Sequence, residues 1–247
     1  MNILAINGSP RGRRSNTDKI LQPFLQGAAQ GGAAVDTLYV KDLEIHPCQG
    51  CYSCHMKTPG VCVFKDDMPG AIDKMKAAEV LVFATPIYVF SVPSILKAFM
   101  DRMIVMGDLK LEVVDGMTVH PPRWPEVKWK WVLIANAGFP EDAVFDPLRE
   151  MFRHFGRAIG GGAFVTHVAS ICKGMGELLA VKPLARELEW FFEACRKAGS
   201  ELATRGGISA ETLETLERPL MPLPSKEFAE MSNFYIDKAT RLIRERG

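Results

Sequence analysis

Cys48, Cys51, Cys54 and Cys62 stand at intervals of two, two and seven residues within one loop. Thiolates this close can converge on one centre, because each short interval turns the backbone back and Gly50 and Gly60 permit tight turns. Soft ligands in a short loop suit a cubane iron-sulfur cluster of the 4Fe-4S type. Zinc is the competitor, but structural zinc usually takes pairs of ligands from separate knuckles rather than three close cysteines and one outlier. Iron is favoured over zinc; four free thiols without a metal, some oxidised in pairs, are the third reading. His55 is a substitute ligand in principle and reads better as a solvated loop histidine.

A second chemical stretch is N-G-S-P-R-G-R-R-S-N-T at residues 7–17, between an apolar run and a helical pattern. Gly8 and Gly12 let the backbone turn with its amides inward, and Ser9, Ser15 and Thr17 add hydroxyls around the same hollow. Ser15, Asn16 and Asp18 are helix N-terminal residue types, so the first free amides of the next helix would face the same anion. Such a cradle would anchor a mononucleotide phosphate. The dinucleotide spacing G-x-G-x-x-G and the Gly-Lys-Ser/Thr ending of a nucleotide triphosphate loop are both missing.

The third stretch is Thr85-Pro86-Ile87-Tyr88, followed by Phe90 and Ser91. It offers apolar bodies and backbone polar groups to a flat heterocycle, which Tyr88 and Phe90 would wall from water. Other candidates are weak. Cys172 and Cys195 read as core, as do Met100, Met103 and Met106 at helical spacing, and His154 and His167 have no acid and nucleophile at a hydrolase spacing. No side chain is required as a catalytic acid, base or nucleophile.

Short β-rich or continuously apolar runs at 3–6, 35–40, 80–84, 131–135 and 163–168 predict strands buried on both faces. Helical patterns separate them at 17–30, 66–76, 92–106, 142–157 and 183–204. Pro23 should bend the first helix, which stops at Gly31-Gly32 as a left-handed cap would require. This alternation predicts an α/β, flavodoxin-like fold: a five-stranded parallel sheet in the order 2-1-3-4-5 with helices on both faces. Ligands then sit outside the carboxyl ends of strands one and three; the opening loop lies at that crevice, and the loops at 46–62, 85–91 and 136–140, after the second, third and fourth strands, are expected to be functional at the same edge. Residues 110–130 read as an inserted hairpin and kinked loop, and 206–247 as a strap ending in a helix, part of the same domain as 1–205.

With 30 basic and 29 acidic side chains in 247 residues, nothing global argues for nucleic acid or an anionic membrane. The opening apolar run is too short for a secretory signal and no segment approaches transmembrane length, so the expectation is a cytoplasmic protein.

Jointly, G-S-P-R followed by S-N-T, the four-cysteine loop leading into K-D-D-M, and T-P-I-Y followed by S-V-P and L-K-A-F-M-D-R resemble the NADPH-dependent FMN reductase-like flavoproteins, and more narrowly the iron-sulfur flavoproteins among them. The resemblance covers about residues 1–205. It implies a noncovalent FMN with Ser9, Arg11, Ser15, Asn16 and Thr17 at the phosphate, Pro86, Ile87, Tyr88 and Phe90 at the ring, and Asn136, Ala137 and Gly138 as a third flavin loop. It maps the four cysteines onto cluster ligands. It implies a homodimer or homotetramer with flavin near subunit boundaries, electrons from ferredoxin or NAD(P)H, and a small-molecule acceptor such as a quinone. An NAD(P)H-dependent FMN or quinone reductase without a cluster and a zinc-stabilised nucleotide-binding module are the alternatives.

Overall fold

In a computed structural model of the chain, which describes residues 1–114, 116–160, 165–184 and 186–246, the first apolar run becomes strand β1 (Asn2–Asn7). It is followed by α1 (Asn16–Gln30), β2 (Ala34–Tyr39), a single turn α2 (Ser53–Met56), α3 (Met68–Ala77), β3 (Val80–Pro86) and α4 (Ser94–Arg102). Next come the hairpin strands β4 (Glu112–Val114) and β5 (Met117–Val119), then β6 (Trp129–Asn136), α5 (Asp146–Gly160) and β7 (Val165–Lys173). Three helices finish the chain: α6 (Glu189–Arg205), α7 (Ala210–Glu217) and α8 (Ser225–Arg246).

The five-stranded sheet has the order β2-β1-β3-β6-β7, and every pair in it is parallel. Because β4 and β5 pair only with each other, this is the expected 2-1-3-4-5 arrangement. Alternation of side chains along each strand divides the core in two. Leu4, Ile6, Leu81, Phe83 and Leu133 face α3, α4 and α5. Ile3, Ala5, Val80, Val82 and Ile134 face α1 and α6. The latter two helices approach closely at glycines: a Cβ on Gly27 would lie 1.8 Å from the Arg196 carbonyl oxygen, and one on Gly199 1.9 Å from that of Phe24.

Several boundaries differ from the periodicity, each for a local reason. α1 runs unbroken across Pro23, since its packing on α6 and the sheet outweighs one lost backbone bond. Its left-handed terminator is Gly32, with φ +88°, rather than Gly31. The expected helix 92–106 starts only after Pro93 and tightens into a 3-10 turn at Met103–Met106. The one at 142–157 opens as a 3-10 turn, Asp142–Phe145, before Asp146, and the one at 183–204 becomes regular only from Glu189. Beyond 206 the structure adds α7, capped by the Ser209 hydroxyl, which accepts from the Thr212 amide at 3.3 Å. Asp115, residues 161–164, Ala185 and Gly247 lie outside the described residues, and with them the first two positions of the strand expected at 163–168. Among the described residues no helix is long and apolar enough to cross a membrane.

Candidate functional site

Register places Asn7 beside Ala84 and Pro86 beside Asn136. The loops after β1, β3 and β6 therefore meet at the carboxyl edge, next to the point where strand order reverses. The Gly8 amide donates to the Ala84 carbonyl at 2.8 Å, and a Cβ on Gly8 would come within 2.5 Å of Leu96. Asn7 organises the turn: its Oδ1 accepts from the Ser9 amide at 3.0 Å, and its Nδ2 donates to Asp18 Oδ1 at 3.0 Å. The Tyr39 hydroxyl donates to the same carboxylate oxygen at 3.0 Å. Burial and then Asp18 push the Tyr39 hydroxyl up to about 12.

The hydroxyls of Ser9 and Ser15 are buried and accept from the amides of Arg11, at 3.3 Å, and Asp18, at 3.0 Å. Their protons remain available to a ligand. Among the described residues the amides of Asn16 and Thr17 find no acceptor, and Thr17 is fully buried. Orphaned donors at the start of a long helix, with two buried hydroxyls beside them, are chemically suited to an anion. Arg11 lies exposed at the rim. Thr17 Oγ1 donates to Asn136 Oδ1 at 2.6 Å, so its hydroxyl serves the junction between loops.

Asn136 is that junction. Its carbonyl accepts from the Ile87 amide at 2.9 Å, and the next amide, of Ala137, donates to the Lys173 carbonyl at 3.0 Å. Gly176 packs so closely on it that a Cβ there would lie 2.8 Å from the Asn136 side chain. Pro86 is buried, Ile87 partly so, and Gly138 is exposed. Tyr88 and Ser91 exchange amide hydrogen bonds at 2.8 and 3.0 Å around a two-residue tip, in which Val89 and Phe90 both have positive φ, 49° and 59°. Left-handed backbone at a β-branched residue is strained. It leaves Val89 94% exposed and the rings of Tyr88 and Phe90 also turned to solvent beside the crevice.

The four loop cysteines are brought together: Cys48, Cys51, Cys54 and Cys62 line one pocket, with Arg102 and Phe64. All are unpaired. Among the described residues no three Cys, His, Asp or Glu side chains are gathered closely enough for a single metal ion. Four zinc-bound sulfurs at about 2.3 Å from the metal would stand within about 4 Å of one another, whereas a cubane spreads its four thiolates more widely. Cys51 is exposed and Cys54 buried. The Ser53 amide and hydroxyl hold the Cys51 thiol below the usual range, and burial followed by the neighbouring Cys62 pushes that of Cys54 up.

Three features correct or extend the sequence reading. His55 is no solvated loop residue. It is only 6% exposed, with Nε2 unpartnered among the described residues and its Nδ1 3.4 Å from an Arg123 nitrogen, and burial followed by Arg123 lowers its pKa. Its contact with the inserted segment is nonlocal and has no local signature. Asp66 and Arg102, quoted above only as letters of two motifs, form a buried pair at 2.5 and 3.1 Å whose side chains are 0% and 1% exposed. Lys173 at the end of β7 is buried, and its Nζ donates to the Arg218 carbonyl at 2.7 Å.

A family model described as NADPH-dependent FMN reductase matches residues 1–161. An iron-sulfur flavoprotein of Methanosarcina thermophila is 36% identical over 106 residues, 43% of this chain and 54% of that one. A putative NAD(P)H-dependent FMN-containing oxidoreductase of Bacillus subtilis is 26% identical over 166 residues, 65% of this chain and 80% of that one. The matches to the iron-sulfur flavoproteins thus span about half the length of those curated relatives. Among solved structures, an NAD(P)H:quinone oxidoreductase from Methanothermobacter marburgensis superposes with a TM-score of 0.58 at 18% identity, over 82% of this chain and 98% of that one, which shows a common fold.

Proposed function

Since the chain belongs to the NADPH-dependent FMN reductase family, we propose that it is an FMN-dependent oxidoreductase of the iron-sulfur flavoprotein type, passing electrons between a reduced donor, FMN and a cluster held by Cys48, Cys51, Cys54 and Cys62. The observation that carries this reading is the convergence of all four cysteines on one pocket. The donor chemistry suits iron-sulfur rather than harder metals.

In this reading the orphaned amides of Asn16 and Thr17 and the hydroxyls of Ser9 and Ser15 hold the FMN phosphate, with Arg11 adding charge at the rim. Pro86, Ile87, Tyr88 and Phe90 position the ring and exclude water from one side of it. Asn136, Ala137 and Gly138 close the third side, Asn136 by tying the other two loops in place. Bound FMN supplies the exchange between two-electron and one-electron chemistry, and the protein supplies position and potential. The chain needs no side-chain acid or base for this role. NAD(P)H or ferredoxin is the donor and a quinone-like small molecule the acceptor; assembly as a homodimer or homotetramer completes the proposal.

The reading without a cluster, an NAD(P)H-dependent FMN reductase, draws support from the Bacillus subtilis relative, whose match covers more of the chain than those of the iron-sulfur relatives. An absorption spectrum of anaerobically purified protein, with iron, zinc and extractable flavin counted on the same sample, separates the two. About four irons per chain with flavin bands supports the cluster protein; flavin without iron supports the simple reductase; zinc without flavin removes both.

A further inference from the structure

The Asp66–Arg102 pair crosses from the cysteine loop's exit to the end of α4. Arg102 Nη1 donates to Asp66 Oδ2 at 2.5 Å and to the His46 carbonyl at 2.8 Å, and Nη2 donates to Asp66 Oδ1 at 3.1 Å. These bonds engage three of the four Nη hydrogens, while Nε is buried and has no partner among the described residues. A buried donor left bare is costly. Arg102 lines the pocket of the four cysteines. With Cys62 and Val105 it also lines a second pocket, floored by Met68 and Ile72 and bounded by Trp124, so Arg102 and Cys62 belong to the wall common to both. Asp66 lines neither. The pair is therefore an oriented dipole, with its positive end at the cysteines and its negative end behind. Phe64, whose ring is 5.2 Å from the guanidinium carbon, lines the same pocket.

We propose that Arg102, held in orientation by Asp66, sets the reduction potential of the four-cysteine site, its spare Nε–H donating to a sulfur there when the site is loaded. This rests on the cluster reading above. Potentials of iron-sulfur centres rise with hydrogen bonds to their sulfurs and with positive charge nearby, and a charge as buried as that of Arg102 is felt more strongly than one in water. Arg102 is a positioning and tuning residue, not a ligand.

The test is a spectroscopically monitored redox titration of the anaerobically purified holoprotein, with iron and flavin counted on the same samples. Arg102→Gln removes the positive end and should lower the potential of the iron signal by at least tenfold in the reduction equilibrium, 59 mV for a one-electron couple. Asp66→Asn removes the negative end and should raise it. Opposite shifts are the diagnostic, because a merely structural pair would lose iron in both variants without moving the potential of what remains. Breaking one half of a buried pair can cost the fold, so Arg102→Lys and the double variant D66N/R102Q accompany the single ones. The lysine variant, which keeps the charge but loses Nε–H, should lie between wild type and Arg102→Gln. The double variant should lie below Asp66→Asn. Iron retained at the wild-type potential in Arg102→Gln, or at the potential of Asp66→Asn in the double variant, overturns the inference alone, and wild-type protein without iron overturns the cluster reading and this inference together.

Discussion

Thr17 Oγ1 donates to Asn136 Oδ1 across 2.6 Å between two fully or nearly buried side chains, residues 119 positions apart. The bond fastens the first helix to the end of β6, and through the Ile87 amide on the Asn136 carbonyl it reaches the loop after β3 as well. One amide side chain and its backbone thus hold the three loops of the crevice in register. Thr17→Val keeps the shape and removes the donor. The expected loss is about 1 kcal/mol, roughly fivefold in FMN affinity, read by fluorescence titration of flavin into the apoprotein. Asn136→Ala, which loses the same bond and also the side chain's packing against Gly176, should cost more. Equal affinity in wild type and both variants would place the flavin elsewhere.

The tip at Val89 and Phe90 stores backbone strain. Replacing Val89 by Asn, which tolerates left-handed backbone, should stabilise the apoprotein by about 1 kcal/mol, a rise of about 2–4 °C in Tm for a chain of this size. Phe90→Ala should leave the apoprotein's Tm unchanged, because the ring is largely exposed, and should weaken flavin binding by about 1 kcal/mol through a lost aromatic contact. A fall in Tm for Phe90→Ala with unaltered flavin affinity would assign the ring to folding rather than to the ligand.

Cys51 is the exposed member of the cysteine set. If the chain holds the proposed cluster, Cys51→Ala should abolish bound iron and leave flavin content at the wild-type level, since the loops proposed to hold the flavin draw on none of the four cysteines. Loss of both cofactors together would mean that the sites fold as one unit.

Lys173 provides a pH signature. Burial lowers its pKa from 10.5 to about 8, so between those values the unfolded chain holds the proton and the folded chain does not. Stability contributed at this position is therefore lowest below pH 8 and rises from pH 8 to 10.5. Lys173→Met removes the buried charge and should stabilise the protein by on the order of 2 kcal/mol at pH 7, after allowance for the lost bond to the Arg218 carbonyl. Urea unfolding at pH 7, 9 and 10 should show the gap between variant and wild type closing. A constant gap would mean that the ammonium is not desolvated in the fold.

The sequence by itself determined the strand order, the layered architecture and the places where chemistry collects. Short, continuously apolar runs separated by amphipathic helices admit few topologies, and turn chemistry such as Gly8-Ser9-Pro10 and Pro86-Ile87-Tyr88 marks loops that a parallel sheet must deliver to one edge. The spacing of Cys48, Cys51, Cys54 and Cys62 was equally legible, because it is local. Tertiary structure alone decided which partners meet across long separations: Thr17 with Asn136, Asp66 with Arg102, His55 with Arg123 and Lys173 with Arg218. No periodicity encodes those pairs, since each depends on where crossovers bring two loops and on how much water packing removes. Burial then turns ordinary residue types into a clamp, an oriented charge pair and a depressed lysine, because desolvation is a property of the assembled fold and not of any stretch within it.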